Sequence, residues 1–213
     1  MSYKVTILTD KKSWINKYID EYIKNAASPI KKIFHYDEIS EGDFLFILGY
    51  TKIIEADYLL KNKHNLVVHE SALPSGKGWS PLTWQILEGK SEIPITLFEA
   101  SEKVDTGMIY LQDTLKFKGT ELITDLRRKQ GKYTMDLCQR FIDTYPQCVH
   151  DGKMPVGEES FYTRRTPKDS ELNIHKTIEE QFNLLRVADN ENYPAFFIYK
   201  GEKYKVKISK WEE

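Results

Sequence analysis

Leu66-Val67-Val68-His69, Glu70-Ser71-Ala72-Leu73-Pro74-Ser75-Gly76-Lys77-Gly78 and Ser80-Pro81-Leu82-Thr83-Trp84-Gln85-Ile86-Leu87-Glu88 read in turn as a strand, a loop and a helix. The first run is apolar without alternation, which suits a strand buried on both faces of a parallel sheet. The proline- and glycine-rich run breaks it. Pro81 then falls in the first turn of a helix, where its missing N–H costs nothing. The same alternation extends in both directions. Residues 5–8 form a first strand ended by Asp10, and Trp14, Ile15, Tyr18, Ile19, Tyr22 and Ile23 recur at helical spacing, predicting an amphipathic helix over 12–25 with Ser13 as its cap. Strands are expected at 30–36, at 44–48 between Gly42 and Gly49, at 95–98 and at 109–111, with a short helix over 55–61 and a long one over 120–144. The expected class is α/β: a Rossmann-like, mostly parallel sheet with helices on both faces. Residues 1–145 form the core domain and 146–213 a C-terminal extension packing on it. Within the extension, 146–173 is a connecting excursion, 176–188 a helix, and 196–199 and 204–208 a β-hairpin around Lys200-Gly201-Glu202.

Composition narrows the function classes. The 213 residues carry 31 Lys+Arg against 32 Asp+Glu, a net charge of −1, without the basic excess of a nucleic-acid binder. Apolar residues at 40% and aromatics at 13% supply a core and exclude disorder. Cys138 and Cys148 are read as two reduced thiols. The opening apolar stretch is too short for a signal sequence, and no window is apolar enough to span a membrane. A cytoplasmic protein with no membrane partner is the expectation.

The chemistry is expected in the middle of the chain. The first strand is followed by Thr9-Asp10-Lys11-Lys12-Ser13, with no glycine, so dinucleotide binding through G-x-G-x-x-G is not expected, and no P-loop is present. His69 stands at the carboxyl end of its strand, where open α/β sheets bind ligands. An imidazole there serves as an acid–base group or simply caps the strand. Asp105, in Val104-Asp105-Thr106-Gly107, is either an ordinary turn residue or the partner of His69, if the two strand ends are neighbours. His35, His64, His150 and His175 have no metal-ligand spacing, so no metal is expected. At least one of Trp79 and Trp84 is expected in the core.

The run from His69 to Pro81, then Trp84-Gln85-Ile86-Leu87-Glu88-Gly89, Thr96 and Val104-Asp105-Thr106-Gly107-Met108-Ile109 resembles the formyltransferase family. That family includes glycinamide ribonucleotide transformylase, methionyl-tRNA formyltransferase and bacterial sugar N-formyltransferases. Its signature is a histidine, a Ser-Leu-Leu-Pro-like run, a Gly-x-x-Pro, a helix ending in glycine, and Asp-x-Gly. The resemblance covers about residues 43–111. It implies transfer of a formyl group from N10-formyltetrahydrofolate to a primary amine, with no metal and no covalent enzyme intermediate. His69 would stabilise the developing oxyanion, and Asp105 would take the ammonium proton, directly or through water, and orient the histidine. Leu48-Gly49-Tyr50-Thr51-Lys52-Ile53-Ile54 resembles the segment lining the pterin, so Tyr50, Lys52, Ile53, Ile54, Val104 and Asp105 are the expected cosubstrate contacts. The chain departs from the pattern at Val67, where the family usually has an asparagine that helps hold the oxyanion. Asn65 is too far along the strand to replace it, which leaves Ser71 or a backbone N–H of the loop. Loss of one such donor costs about 10²–10³ in rate.

The acceptor is read from the extension. Phe161-Tyr162-Thr163-Arg164-Arg165-Thr166-Pro167-Lys168-Asp169 resembles the Arg-Arg-Thr-Pro-x-Asp run of some sugar N-formyltransferases, as do Phe182-Asn183-Leu184-Leu185-Arg186 and Tyr193-Pro194-Ala195-Phe196. This likeness implies a nucleotide-linked amino sugar of the pseudaminic-acid pathway type, UDP-4-amino-4,6-dideoxy-L-AltNAc. Arg164 and Arg165 would meet the diphosphate, since guanidinium suits phosphate oxygens. Tyr193, Phe196 and Phe197 would stack on uracil or else pack the extension. Ser71, Lys77, Gly78 and Trp79 complete the expected acceptor contacts, with an exposed loop lysine the ordinary alternative for Lys77. Apolar hairpin residues suit either a homodimer contact or intrachain packing. Two rival functions stay open: formylation of an aminoacyl group on tRNA or a carrier protein, and a non-catalytic folate- or nucleotide-binding module. Against tRNA stand the mixed charge and the short stretch after the long helix. Against glycinamide ribonucleotide stands the absent glycine-rich phosphate loop.

Overall fold

A computed structural model describes residues 3–101 and 104–211 of the chain. The elements in order are β1 (Val5–Leu8), α1 (Asn16–Asn25), β2 (Ile30–Ile33), β3 (Gly42–Ile47), α2 (Ala56–Leu59), β4 (Asn62–His69), β5 (Lys77–Gly78), α3 (Pro81–Leu87), β6 (Glu92–Glu99), β7 (Ile109–Lys116) and α4 (Ile123–Thr144). The extension adds α5 (Gln147–His150), β8 (Phe161–Tyr162), α6 (Phe182–Val187), β9 (Ala195–Tyr199) and β10 (Glu202–Val206). Six strands form one sheet in the order β2-β1-β3-β4-β6-β7. β2, β1, β3 and β4 run parallel, and β6 is antiparallel to both β4 and β7.

The strand alternation sends successive side chains to opposite faces. From β3, Phe44 and Phe46 enter a large core with Ile19 of α1, Ile86 of α3 and Leu126, Cys138 and Phe141 of α4. Leu45 turns the other way, to a smaller core with Leu8, Ile33 and Ile39, closed by Tyr50, Tyr58 and Leu59. Burial on both faces is why the apolar runs of β1 and β3 show no polar alternation. The extension has its own cluster of Leu185, Ala188 and Ala195. It is tied to the core by Arg186, whose buried guanidinium donates to Glu121 O at 3.0 Å and Glu121 Oε2 at 3.1 Å.

Several elements differ from expectation. α1 begins at Asn16, not at residue 12, and Ser13 does not cap it. The chain turns before the helix, with Ser13 N–H donating to Asp10 O and Asn16 Nδ2 to Asp10 O and Lys11 O. β4, β6 and β7 run longer than their apolar centres, because ladder hydrogen bonds continue past the apolar residues. The excursion over 146–173 contains β8, which pairs parallel with β5, and a strand of two residues carries no period that a sequence can display. Neither tryptophan is core: Trp79 is exposed and Trp84 half-buried, because the extension covers this face of α3 without enclosing it. Cys138 and Cys148 are both buried free thiols.

Candidate active site

His69 closes β4, and its register partner across the antiparallel pair is Thr96 of β6. Thr96 Oγ1 donates to Ser71 O at 2.6 Å and accepts from Gln112 Nε2 at 3.0 Å, which fixes the chain as it leaves the strand. The imidazole is buried, with Nε2 2.9 Å from Gly76 O. A carbonyl only accepts, so Nε2 carries the proton in this contact.

Asp105 reaches the same place by a less direct route. β6 runs antiparallel to β4, so its carboxyl end, Glu99, lies beside Leu66 rather than His69. The strand ends are therefore not neighbours, contrary to the simplest condition for pairing the two residues. The connection to β7 instead doubles back by about three residues of strand, on the order of 10 Å. Asp105 Oδ2 lies 3.8 Å from His69 Nε2 and accepts the Gly78 N–H at 3.0 Å. Asp105 has φ +54°, a left-handed conformation that Asp tolerates better than most residues. Gly107 makes the return tight: a Cβ there would lie 1.7 Å from Glu99 O.

Val67 is on the same face of β4 as His69, two residues back, and brings no polar group to it. Asn65 is committed elsewhere, its Nδ2 donating to Leu59 O at 2.9 Å and its backbone to Glu99. Ser71 Oγ is buried and has no hydrogen-bond partner among the described residues.

The remaining predicted residues fall in three groups. Tyr50 packs with Ile54 against the smaller core, while Lys52 and Ile53 are exposed on the same loop beyond β3. Val104 is also exposed. Gly78, Trp79, Arg164 and Arg165 meet where the extension crosses the loop. The Arg164 guanidinium sits 4.8 Å from the Trp79 ring and that of Arg165 sits 5.6 Å from the Trp84 ring. Arg165 is half-buried and donates to Asp169 O at 2.8 Å, whereas Arg164 is exposed. Lys77 is not an exposed loop lysine: it is 1% exposed, with Nζ 2.6 Å from Glu159 Oε1. Its charge is committed to that carboxylate. Tyr193 and Phe196 border a depression of about 290 Å³ on the extension, with Pro167, Lys203 and Lys205. Phe196 is buried with the Lys203 ammonium 3.6 Å from its ring centre, and Phe197 stacks on Tyr204 at 5.3 Å.

Sequence reading missed Glu70, Glu159 and Ser160. Glu70 is fully buried, and burial pushes its carboxyl above the ordinary value of 4.5 despite a hydrogen bond with Gln130. The folded state thus holds the proton more tightly than the unfolded chain. The associated stability is complete below about pH 4.5 and is lost as pH rises through the folded value. Glu70→Gln is expected to melt higher than wild type at pH 8, with the gap closing at pH 4. Equal melting differences at both values would exclude this burial cost. His64, by contrast, lies in an aromatic box with Phe44, Phe141 and Tyr145 and pairs with Glu99 at 2.9 Å. No cluster of three or more metal-ligating side chains occurs among the described residues, and none of their helices is long and apolar enough to cross a membrane.

Comparison with known proteins bears directly on this arrangement. The formyl transferase family model matches residues 5–137. The bifunctional polymyxin resistance protein ArnA of Wigglesworthia glossinidia brevipalpis is 26% identical over 220 aligned residues, covering 98% of this chain and 32% of that protein. The chain therefore spans about a third of the length of this curated relative. Among solved structures, the methionyl-tRNA formyltransferase from Clostridium thermocellum superposes with a TM-score of 0.82 at 21% identity, covering 98% of this chain and 94% of that one. A 4-N formyltransferase from Francisella tularensis gives 0.75 at 18% identity, with 99% of both chains covered. These two likenesses show the shared fold, and the family match covers more than half of the sequence, including the His69 strand, its loop and the Asp-x-Gly return. The chain belongs to the formyl transferase family.

Proposed function

We propose that the protein transfers a formyl group from N10-formyltetrahydrofolate, the family's formyl donor, to the amine of a nucleotide-linked amino sugar. The observation that carries the reaction is the approach of His69 and Asp105 to 3.8 Å beside the Gly76–Gly78 loop, from positions far apart in the chain. In this reading the His69 Nε2–H leaves Gly76 O and donates to the oxygen of the formyl group as charge develops there. The acceptor nitrogen bonds to the formyl carbon, and the bond from that carbon to N10 breaks. Asp105 takes the proton lost by the acceptor nitrogen, directly or through water, and passes it to the departing N10, so the carboxylate is regenerated and the proton count balances. Ser71 Oγ, buried and unpaired among the described residues, is the proposed replacement for the donor that Val67 cannot supply. Tyr50, Lys52, Ile53, Ile54 and Val104 are the proposed pterin contacts. Arg164 beside Trp79 is the proposed diphosphate contact, with Arg165 behind it.

A sugar acceptor is supported by the Arg164-Arg165-Thr166-Pro167 run, the 4-N formyltransferase likeness and the near-neutral charge. The finer assignment is a UDP-4-amino-4,6-dideoxy sugar of the pseudaminic type as the acceptor, for a cytoplasmic protein with no nucleic-acid or membrane partner. Ile198, Tyr199 and Tyr204, exposed on the hairpin, support a homodimer. The methionyl-tRNA formyltransferase likeness favours the second reading, an aminoacyl-tRNA acceptor. The deciding experiment follows tetrahydrofolate release with N10-formyltetrahydrofolate and a panel of UDP-amino sugars, methionyl-tRNA and aminoacyl carrier protein. Release is expected with an amino sugar. Release with methionyl-tRNA alone would install the second reading, and tight folate binding without any turnover would leave only a binding module.

A further inference from the structure

β5 joins the extension to the pair of residues at the heart of the site. Successive residues of an extended strand point their backbone groups to opposite sides. On one side, Gly76 O meets His69 Nε2 at 2.9 Å and the Gly78 N–H meets Asp105 Oδ2 at 3.0 Å. On the other, the Lys77 and Trp79 N–H groups donate to Ser160 O at 2.9 Å and Tyr162 O at 3.0 Å. Ser160 Oγ also accepts the Gly76 N–H at 2.8 Å and bonds Ser75 Oγ at 3.0 Å. The buried Lys77 locks the same crossing through Glu159.

We infer that residues 159–162 are a strap that sets the separation of His69 and Asp105, and that Ser160 is a positioning residue for formyl transfer. This rests on the assignment of His69 and Asp105 to that reaction. The two side chains come from different elements and, at 3.8 Å, make no hydrogen bond with each other. The backbone of residues 76–78 is a restraint they share. That backbone is permissive by itself, with Gly76 at φ +75° and Gly78 at φ +94°. The strap supplies the missing stiffness and approaches so closely that a Cβ on Gly78 would lie 2.5 Å from Tyr162 O. It is anchored in turn on α3. Trp84 Nε1 donates to Thr163 O at 2.9 Å, the Tyr162 hydroxyl donates to Glu88 at 3.0 Å, and the Tyr162 and Trp84 rings stack with 8° between their planes. The extension therefore acts on the chemistry through backbone geometry, independently of any acceptor contact it makes.

The test uses the whole chain with Ser160→Ala and Ser160→Thr. Ser160 is exposed, so removal of its hydroxyl leaves the core intact. Ser160→Ala is expected to lower kcat about 10-fold, since a misplacement of about 1 Å costs up to 10²-fold. KM for both substrates should stay within about twofold, and Ser160→Thr should restore kcat. In parallel, long-range 1H–15N NMR of the His69 imidazole should show the Nε2-protonated form in wild type and a shifted or mixed pattern in Ser160→Ala. An unchanged kcat, or a loss confined to the acceptor's KM with an unchanged imidazole spectrum, would overturn the strap. If wild type formylates no amine, the functional reading fails instead. The spectra still decide, because identical imidazole signals in wild type and Ser160→Ala refute positioning and altered ones support it.

Discussion

His69→Ala is expected to reduce kcat by about 10³-fold while the protein still folds cooperatively. Removal of one oxyanion donor costs about 10²–10³, and loss of a positioned acid–base group about 10²–10⁴. Each tenfold corresponds to about 1.4 kcal/mol of transition-state stabilisation, so the loss amounts to about 4 kcal/mol. The size of the effect follows from how few other donors surround the imidazole, with the proposed Ser71 hydroxyl the one left to hold the oxyanion. Val67 presents no donor on the same face, and the Thr96 hydroxyl already donates to Ser71 O. The Gly78 N–H is held by Asp105. The substitution also strips Gly76 O of its Nε2 partner, so some stability is lost. Circular-dichroism melts alongside single-turnover rates separate the two effects. His69→Gln serves as a companion that retains an N–H donor. A rate within tenfold of wild type in His69→Ala would remove the imidazole from the reaction.

Asp105→Asn is expected to lower kcat by about 10²-fold or more, with little effect on folding. The substitution is nearly silent structurally. Asn has the same shape, tolerates the left-handed conformation at φ +54°, and its side-chain oxygen still accepts the Gly78 N–H. What disappears is the negative charge and the capacity to take a proton. The loss should therefore fall on kcat, and small exogenous bases such as formate should restore rate only in Asp105→Ala, where the truncated side chain leaves room for them. Asp105→Ala, which also leaves the Gly78 N–H without its acceptor, should melt lower than Asp105→Asn and show the same or a deeper loss of rate. If Asp105→Asn retains near-normal turnover, the proton goes elsewhere. Glu70 would be the next carboxylate to test, since it is buried and directly follows His69 in sequence.

Much of this protein was legible without coordinates. The unalternating runs at 44–48 and 66–69 announced strands covered on both faces, and those strands are the centre of the sheet. The spacing of Ile15, Ile19 and Ile23 announced α1, and the Lys200-Gly201 turn announced the hairpin, with both residues at positive φ. These are local readings, because periodicity and turn chemistry act between residues close in the chain. Resemblance added the formyl transferase assignment and drew attention to Asp105, whose turn sequence alone is unremarkable. Ser13 as a cap and a tryptophan in the core were misread because both depend on how the chain packs before α1 and beneath the extension.

Pattern in the chain yields the six strands of the main sheet and its larger helices in order, and resemblance the two residues worth testing, whereas β5, α5 and β8 leave no such trace. Tertiary structure alone decided that Asp105 lies near His69, because β6 runs the other way and the chain must fold back across β4 to bring them within 3.8 Å. It also decided that Lys77 is buried against Glu159 and that the extension grips the loop joining the pair. These contacts link residues more than 80 positions apart, Lys77 to Glu159 and Gly76 to Ser160. No local propensity encodes such a meeting, since it exists only once the whole sheet has fixed where each loop emerges.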